Sequence, residues 1–373
     1  MGERIPAEVF PPGEIIKEEL EARSWSQIEL AEIMGRPARV VSEIISGKRT
    51  ITPETARGLG AAFGTGPTFW INVEGAYQLF KTVHDDDSVQ RRARLYSKAP
   101  VKEMLKRGWI MPSENVSVLE RRVCDFLQIE DINQQVWYPH AAYKGKTETE
   151  LSQAAQWAWL YRAKQIASSI EVRKYSEAAL RKRTEEMKAL MLAPEEARQV
   201  PKILMDCGVK FVVVERLPHA DIDGVCFWVD DRPVIGMSLR KDKIDNFWFV
   251  LRHEIEHILH GHGKQVEIID LNLEGERAGT SEALPEEERI ANKAAADFCV
   301  PADKIQSFMT GKHPFYYERD VLAFARAVNR HPGIVVGQMQ FRMNNYAYLN
   351  RRISPIRQFI LDGSVYDGWG QAA

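Results

Sequence analysis

The chain has 373 residues, 45% of them hydrophobic and 27% charged, an ordinary globular make-up with room for two or three domains. Its formal net charge of −2 supplies no global field toward nucleic acid or membrane, so a DNA contact requires a local basic patch. No long uncharged apolar run, no secretory layout in MGERIPAEVF and four scattered cysteines (Cys124, Cys207, Cys226, Cys299) together predict a cytoplasmic protein with buried thiols.

Residues 12–80 read as helical pieces broken at Gly35, Gly47 and Gly64. In WSQIELAEIMGRPARVVSEIISGKRTITPETARGLGAAFG, Gln27–Met34 is predicted as the first helix of a helix-turn-helix. Pro37–Ile45 follows as the recognition helix, with Pro37 suited to its start. Leu30, Ala31, Val41, Ile44 and Ile45 supply its core. Arg36, Arg39 and Ser42 face outward, with Lys48 and Arg49 just after. With Gln27 they are the candidate DNA-contacting residues, by base-edge and phosphate chemistry. A helical bundle with a solvated basic face explains the same pattern. Residues 1–75 hold eight Lys/Arg against eleven Asp/Glu, which argues against strong non-specific DNA binding. Most of those acids precede Arg36, so the outward face of the second helix can still be positive.

From Pro12 to about Leu79 the chain resembles HigA-type antitoxins of the Xre helix-turn-helix family. The flanks PPGEII and GTGPTFWINVEGAYQL make that resemblance far more specific than a bare helix-turn-helix. It implies a homodimer on operator DNA and a RelE-like ribonuclease toxin as partner. Ala38 and Val40 depart from the polar residues usual in the recognition helix, which bears on the operator read.

Residues 81–200 are predicted to form a helical connector. In ELSQAAQWAWLYRAKQIAS the residues Trp157, Trp159 and Tyr161 are expected in packing rather than in a ligand cage, and RKRTEEMK reads as a solvated helix face. The pattern changes near Pro201. VKFVVVER, IDGVCFWVD and RPVIGMSL are short, β-branched and separated by turn residues, which predicts a small three-stranded sheet. A helix from about Ile244 to Gly261 and another from about Pro285 to Val300 follow, with GKQVEIIDLNLEGERAGTSEA between them as a polar loop. The tail from Pro301 reads as helical, with a break at HPGI. The expected fold is α+β, mainly α, divided at 1–80, 81–200, 201–312 and 313–373.

The segment FWFVLRHEIEHILHGH carries the chemistry. His253 and His257 are four apart, so on a helix both rings leave one face about 6 Å apart along the axis. Two imidazoles in that relation suit one ion, and Glu254 between them can act as general base on a water bound to it. H-E-x-x-H is the metalloprotease signature. A polar helix face open to solvent is the rival explanation, but the apolar neighbours Phe247, Phe249, Val250, Leu251, Ile255, Ile258 and Leu259 argue for burial. Buried His and Glu need compensation, which a metal would give. A catalytic zinc takes a third protein ligand. The helix opened by PEEERIANKAAADFCVP offers Glu287 or Glu288, and periodicity does not choose between them.

NFWFVLRHEIEHILHGH followed by EEERIANKAAADFCVP resembles the ImmA/IrrE family of metallopeptidases, over about residues 200–302. Its pattern is H-E-x-x-H, then E-x-x-A-N-x-x-A ending in a Pro. That resemblance places Glu288 as the third zinc ligand beside His253 and His257, with Glu254 catalytic. His260 and Asn292 are expected beside the ligands rather than on the ion. His262, five past His257, falls off the face. Arg252 departs from the small or apolar residue usual before the first His and is expected to point away. His260, Tyr316, Tyr317 and His331 are candidate oxyanion partners, each with a structural role as the simpler reading. The implied function is a zinc-dependent endopeptidase acting on a repressor or antitoxin, this chain's own helix-turn-helix included. The rival is an antitoxin or repressor whose metal domain senses or stiffens without turnover.

Overall fold

A computed structural model describes residues 10–81, 87–133, 150–264, 268–271 and 285–371. Two compact units divide the chain, residues 1–89 and 90–373.

The first unit is all-helical: α1 (Pro12–Arg23), α2 (Gln27–Ile33), α3 (Ala38–Ile45), α4 (Pro53–Phe63) and α5 (Pro67–Lys81). The Ser26 hydroxyl accepts from the Glu29 N–H while the Glu29 carboxylate accepts from the Ser26 N–H, so a capping box starts α2. The expected core residues Leu30, Ala31, Val41, Ile44 and Ile45 are all buried. The flanks close that core. Trp70 is fully buried against Phe63, its indole N–H donating to Thr65 Oγ1 at 2.8 Å. Buried Glu74 accepts from the Ile51 N–H at 3.0 Å and ties α5 to the turn before α4.

The second unit begins within α6 (Ser88–Lys98) and holds α7 (Val101–Lys106), α8 (Val116–Leu127), α9 (Glu150–Ser169), α10 (Glu177–Met187) and α11 (Val200–Asp206). Then come β1 (Lys210–Val214), β2 (Ile222–Val229), β3 (Arg232–Met237), α12 (Ile244–Leu259), β4 (Ile268–Leu271) and α13 (Glu286–Cys299). The remainder is α14 (Ala302–Lys312), α15 (Glu318–Ala327), α16 (Pro332–Met343), α17 (Arg357–Leu361) and β5 (Val365–Asp367). The strands form one mixed sheet in the order β4-β2-β3-β1-β5, with β1 parallel to β3 and β5, and β2 antiparallel to β3 and β4.

Helices cover both faces of this sheet. Phe211, Val213, Cys226, Ile235 and Met237 enter one core with Phe247, Leu251 and Ile255 of α12. Val212, Val214, Val225, Phe227 and Val234 enter a second core with Leu119 and Val123 of α8 and Trp159 and Ala163 of α9. Successive strand residues point to opposite faces, so covering both faces makes the strands continuously apolar. The alternation of Val212 and Val213 between the two cores is that geometry.

Three expectations are corrected. The sheet has five strands, not three. β4 lies in the segment read as a polar loop and β5 in the tail read as helical, and four and three residues are too few to show a period. The helices between 81 and 200 do not merely connect: α8 and α9 roof the sheet, and the Trp159 indole N–H donates to Val214 O at 2.9 Å. The boundaries expected at 200 and 312 therefore fall inside the second unit. Parts of two expected elements, the connector over 82–86 and 134–149 and the polar loop over 265–267 and 272–283, lie outside the described residues, as does MGERIPAEV. All four cysteines are buried, and none of them is in a disulfide. Among the described residues no helix is long and apolar enough to cross a membrane.

Candidate metal centre and DNA-binding face

α12 lies against β2 and β3, α13 and α16, so most of its surface is buried. α13 opens with Glu286, Glu287 and Glu288 in its first turn, where carboxylates favour the helix dipole. Ala291 and Ala295 are buried at its contact face, and their small side chains let it approach α12 closely.

That approach brings His253, His257 and Glu288 together. His253 Nε2 and His257 Nε2 are 3.0 Å apart. Glu288 Oε2 is 3.4 Å from His253 Nε2, and its Oε1 is 3.4 Å from His257 Nε2. Both histidines are 0% exposed and Glu288 is 8% exposed. Four ligands at about 2.0–2.1 Å around tetrahedral zinc sit roughly 3.3 Å from one another. The three separations fit that figure, and two imidazoles with a carboxylate are a zinc donor set. Glu288, not Glu287, occupies the third position. Glu287 is exposed, with an oxygen 3.8 Å from His262 Nε2.

Glu254, on the turn between the histidines, is also 0% exposed. Its carboxylate fits because residue 224 of β2 is glycine: a Cβ there would lie 2.0 Å from Glu254 Oε1. The sequence reading missed Gly224. The available signal was a glycine inside a strand pattern, which marks a bulge or a close approach; β2 has both, with a register shift between Ile222 and Gly224.

His260 is corrected. Its ring is 42% exposed and faces Glu256 at 3.3 Å. The histidine that reaches the cluster is His262, whose Nδ1 is 3.0 Å from His257 Nδ1. α12 ends at Leu259, so helical spacing no longer applies beyond it. Arg252 pairs with Glu256 at 2.6 Å and lies over the Phe298 ring, in the same row as His260. Burial raises the Glu256 carboxyl, but Arg252 and His260 outweigh it and hold it below its ordinary value. Asn292, one turn past Glu288, is partly buried, and among the described residues no hydrogen bond links it to the three. Of the other oxyanion candidates, the His331 side chain has a structural role. Tyr316 gives its carbonyl to the Tyr348 hydroxyl, Tyr317 is exposed, and His331 caps α16.

In the first unit α3 turns Arg39 and Ser42 outward, and Gln27, Lys48 and Arg49 are exposed. Arg36 is half-buried and paired with Glu54. Glu43 holds two of the cations, Arg39 Nε at 2.7 Å and Arg49 Nε at 3.4 Å. The Arg39 hydrogen bond leads in pulling the Glu43 carboxyl below its ordinary value. The basic face is thus partly neutralised by its own helix.

The first unit has a helix-turn-helix architecture, and the helix-turn-helix family profile HTH_3 matches residues 16–70. The HTH-type transcriptional regulator YddM of Escherichia coli is 33% identical over 87 residues, covering 23% of this chain and 92% of the regulator. Antitoxin HigA-1 of Vibrio cholerae is 39% identical over 71 residues, 19% of this chain and 67% of the antitoxin. A solved HigA-family addiction module antidote protein from Coxiella burnetii is 40% identical, with a TM-score of 0.19, over 19% of this chain and 79% of that one. Through its N-terminal unit the chain belongs to the helix-turn-helix family.

Proposed function

We propose that the chain is a cytoplasmic DNA-binding regulator of the HigA kind whose second unit is a zinc-dependent endopeptidase resembling the ImmA/IrrE metallopeptidases. Its substrate is a repressor or antitoxin, its own helix-turn-helix unit included. The observation that carries the reading is the convergence of His253, His257 and Glu288 across two helices, with Glu254 buried between the two histidines. The relatives' names support the regulatory half: one is called a transcriptional regulator and one an antitoxin.

In this reading His253, His257 and Glu288 hold the ion through two imidazole nitrogens and a carboxylate. When bound, zinc supplies Lewis acidity, which makes a water nucleophilic near neutral pH and polarises a scissile carbonyl. Glu254 takes the water's proton and passes it to the leaving amine. The walls of α12, α13 and β2 exclude bulk water from that exchange. The first unit binds operator DNA as a homodimer through Gln27, Arg36, Arg39, Ser42, Lys48 and Arg49, and a RelE-like toxin is its protein partner.

The test incubates purified protein with candidate repressors and antitoxins, with and without a chelator, and maps fragments by mass spectrometry. Cleavage is expected with zinc and lost in Glu254→Gln. Intact substrates and an intact chain under every condition would overturn the peptidase reading. One observation favours a second reading: His253, Glu254 and His257 are 0% exposed, as suits a sensing or structural metal site. Equal repression by wild type and Glu254→Gln, with zinc bound and nothing cut, selects it.

A further inference from the structure

We propose that His262 is a positioning residue for the metal centre: its Nδ1 accepts the Nδ1–H of His257 and so fixes His257 in the form whose Nε2 lone pair faces His253 and Glu288. The proposal rests on the zinc reading of those three residues.

The C-terminus of α12 delivers His262 to this place. His260 is the last half-helical residue and Gly261 follows with a φ of 72°. The Gly261 N–H donates to Ile258 O at 2.9 Å and the His262 N–H to His257 O at 2.9 Å. Those two bonds are a Schellman motif, in which the second residue past the cap returns to the third residue before it. An apolar contact commonly joins those two side chains. In this chain both are histidines, their ring centroids 5.3 Å apart and their Nδ1 atoms 3.0 Å apart.

The second anchor comes from the sheet. The Trp228 indole N–H donates to His262 O at 2.9 Å. Gly263 lies so close to β2 that a Cβ would come 2.8 Å from Cys226 O. The His262 backbone is therefore held through both its amide and its carbonyl, which places its ring within reach of His257.

The proton assignment follows from what flanks the pair. Two Nδ1 atoms in contact share one hydrogen, so one donates and the other accepts. His257 Nε2 faces the other two ligands, so a lone pair there puts the hydrogen on its Nδ1. His262 then carries its own hydrogen on Nε2, the side on which a Glu287 oxygen lies 3.8 Å away. Glu287 is too far for a hydrogen bond, so the link is the His257–His262 contact alone, a partner on the far ring nitrogen of the kind that orients metal-binding imidazoles.

Two measurements on the full-length protein test this. The first is zinc affinity by competition with a chromophoric chelator. His262→Ala should weaken binding roughly 10–100-fold, the usual cost of losing such a partner. His262→Asn, which restores an acceptor, should recover most of it, and His260→Ala should bind like wild type. His262→Leu serves if the alanine variant does not fold. The second is nitrogen NMR of the metal-free protein, which should show His257 with its hydrogen on Nδ1. Wild-type affinity in folded His262→Ala or His262→Leu, or a hydrogen on His257 Nε2, overturns the proposal and leaves the zinc reading standing. Wild type no tighter than a His253→Ala control overturns the zinc reading, and the proposal with it.

Discussion

Gly224 is where the strand makes room for the acid. A methyl there would sit 2.0 Å from Glu254 Oε1 and 2.9 Å from Val250 Cγ1, so the carboxylate or the helix has to move. The carboxylate is the far end of a flexible side chain and yields first. Gly224→Ala should therefore cost stability modestly, about 1–3 kcal/mol. Under the peptidase reading turnover should fall by ~10²-fold or more, since general acid–base catalysis contributes about 10²–10⁴. Zinc content should stay at the wild-type level; a cleavage assay with metal analysis separates the two, and undiminished cleavage would remove Glu254 from the chemistry. Glu43 poses a different question at the same scale, because it occupies two cations that DNA phosphates would want. Glu43→Gln should raise operator affinity and steepen its salt dependence by up to ~0.9 for each additional phosphate neutralised. Unchanged affinity and slope in a binding titration would mean that Arg39 and Arg49 do not touch phosphates. His253, Glu254 and His257 were legible in the sequence because helical spacing alone sets their relation. His262 was not, since its partner depends on how the chain turns at Gly261, and outward projection was legible for Arg39 but its pairing with Glu43 was not.

At the scale of elements, α12 and α13 were legible to within two residues at each end because they are long, amphipathic and bounded by turn and loop residues. What supports them was less visible. Arg330 donates to Cys299 O at 2.8 Å and to Phe298 O at 3.0 Å, satisfying carbonyls that α13 leaves open at its C-terminus. α16 packs on the start of α12: a Cβ at Gly337 would lie 2.2 Å from Asp245 Oδ2. α16 is itself capped by His331, whose Nδ1 accepts from the Gly333 N–H at 3.0 Å. Only a neutral imidazole can accept there. Burial pushes the His331 pKa below its ordinary 6.5, with Glu195 opposing. Between that depressed native value and 6.5 the unfolded chain binds more protons than the native one, so stability rises with pH across the window. The contribution is complete above pH 6.5 and is lost as pH falls toward the native value. His331→Asn keeps a capping acceptor without the titration. Its melting temperature should therefore fall less than that of wild type between pH 7.5 and pH 5, with a difference worth about 1 kcal/mol, the usual value of a cap. Parallel curves for the two proteins would show that this imidazole does not carry the cap.

At the scale of the molecule, the sequence divides cleanly only once. The first unit's limits were legible because its helices, caps and core all fall within one short stretch. The second unit's limits were not, because it closes through contacts between residues far apart in the chain. β5 pairs with β1 about 150 positions earlier, Val213 opposite Tyr366. Asp367 at its end accepts from the Trp109 indole N–H at 3.0 Å and from the Arg162 guanidinium, tying the last strand to both the α7–α8 region and α9. A chain ending at residue 312 tests this closure. It would lose Val321, Ile334, Val335, Val336, Met339, Ile356 and Ile360, all fully buried. At about 1.5–3 kcal/mol for each such side chain, the loss is roughly 10–20 kcal/mol, comparable with or larger than the whole stability of a typical domain, about 5–15 kcal/mol. It would also strand the Trp109 and Arg162 donors. The shortened chain should keep the melting transition and protease resistance of its first unit and lose those of the second, together with zinc binding. A protease-resistant second unit with wild-type zinc affinity in that truncation would show that residues 90–312 fold without the tail.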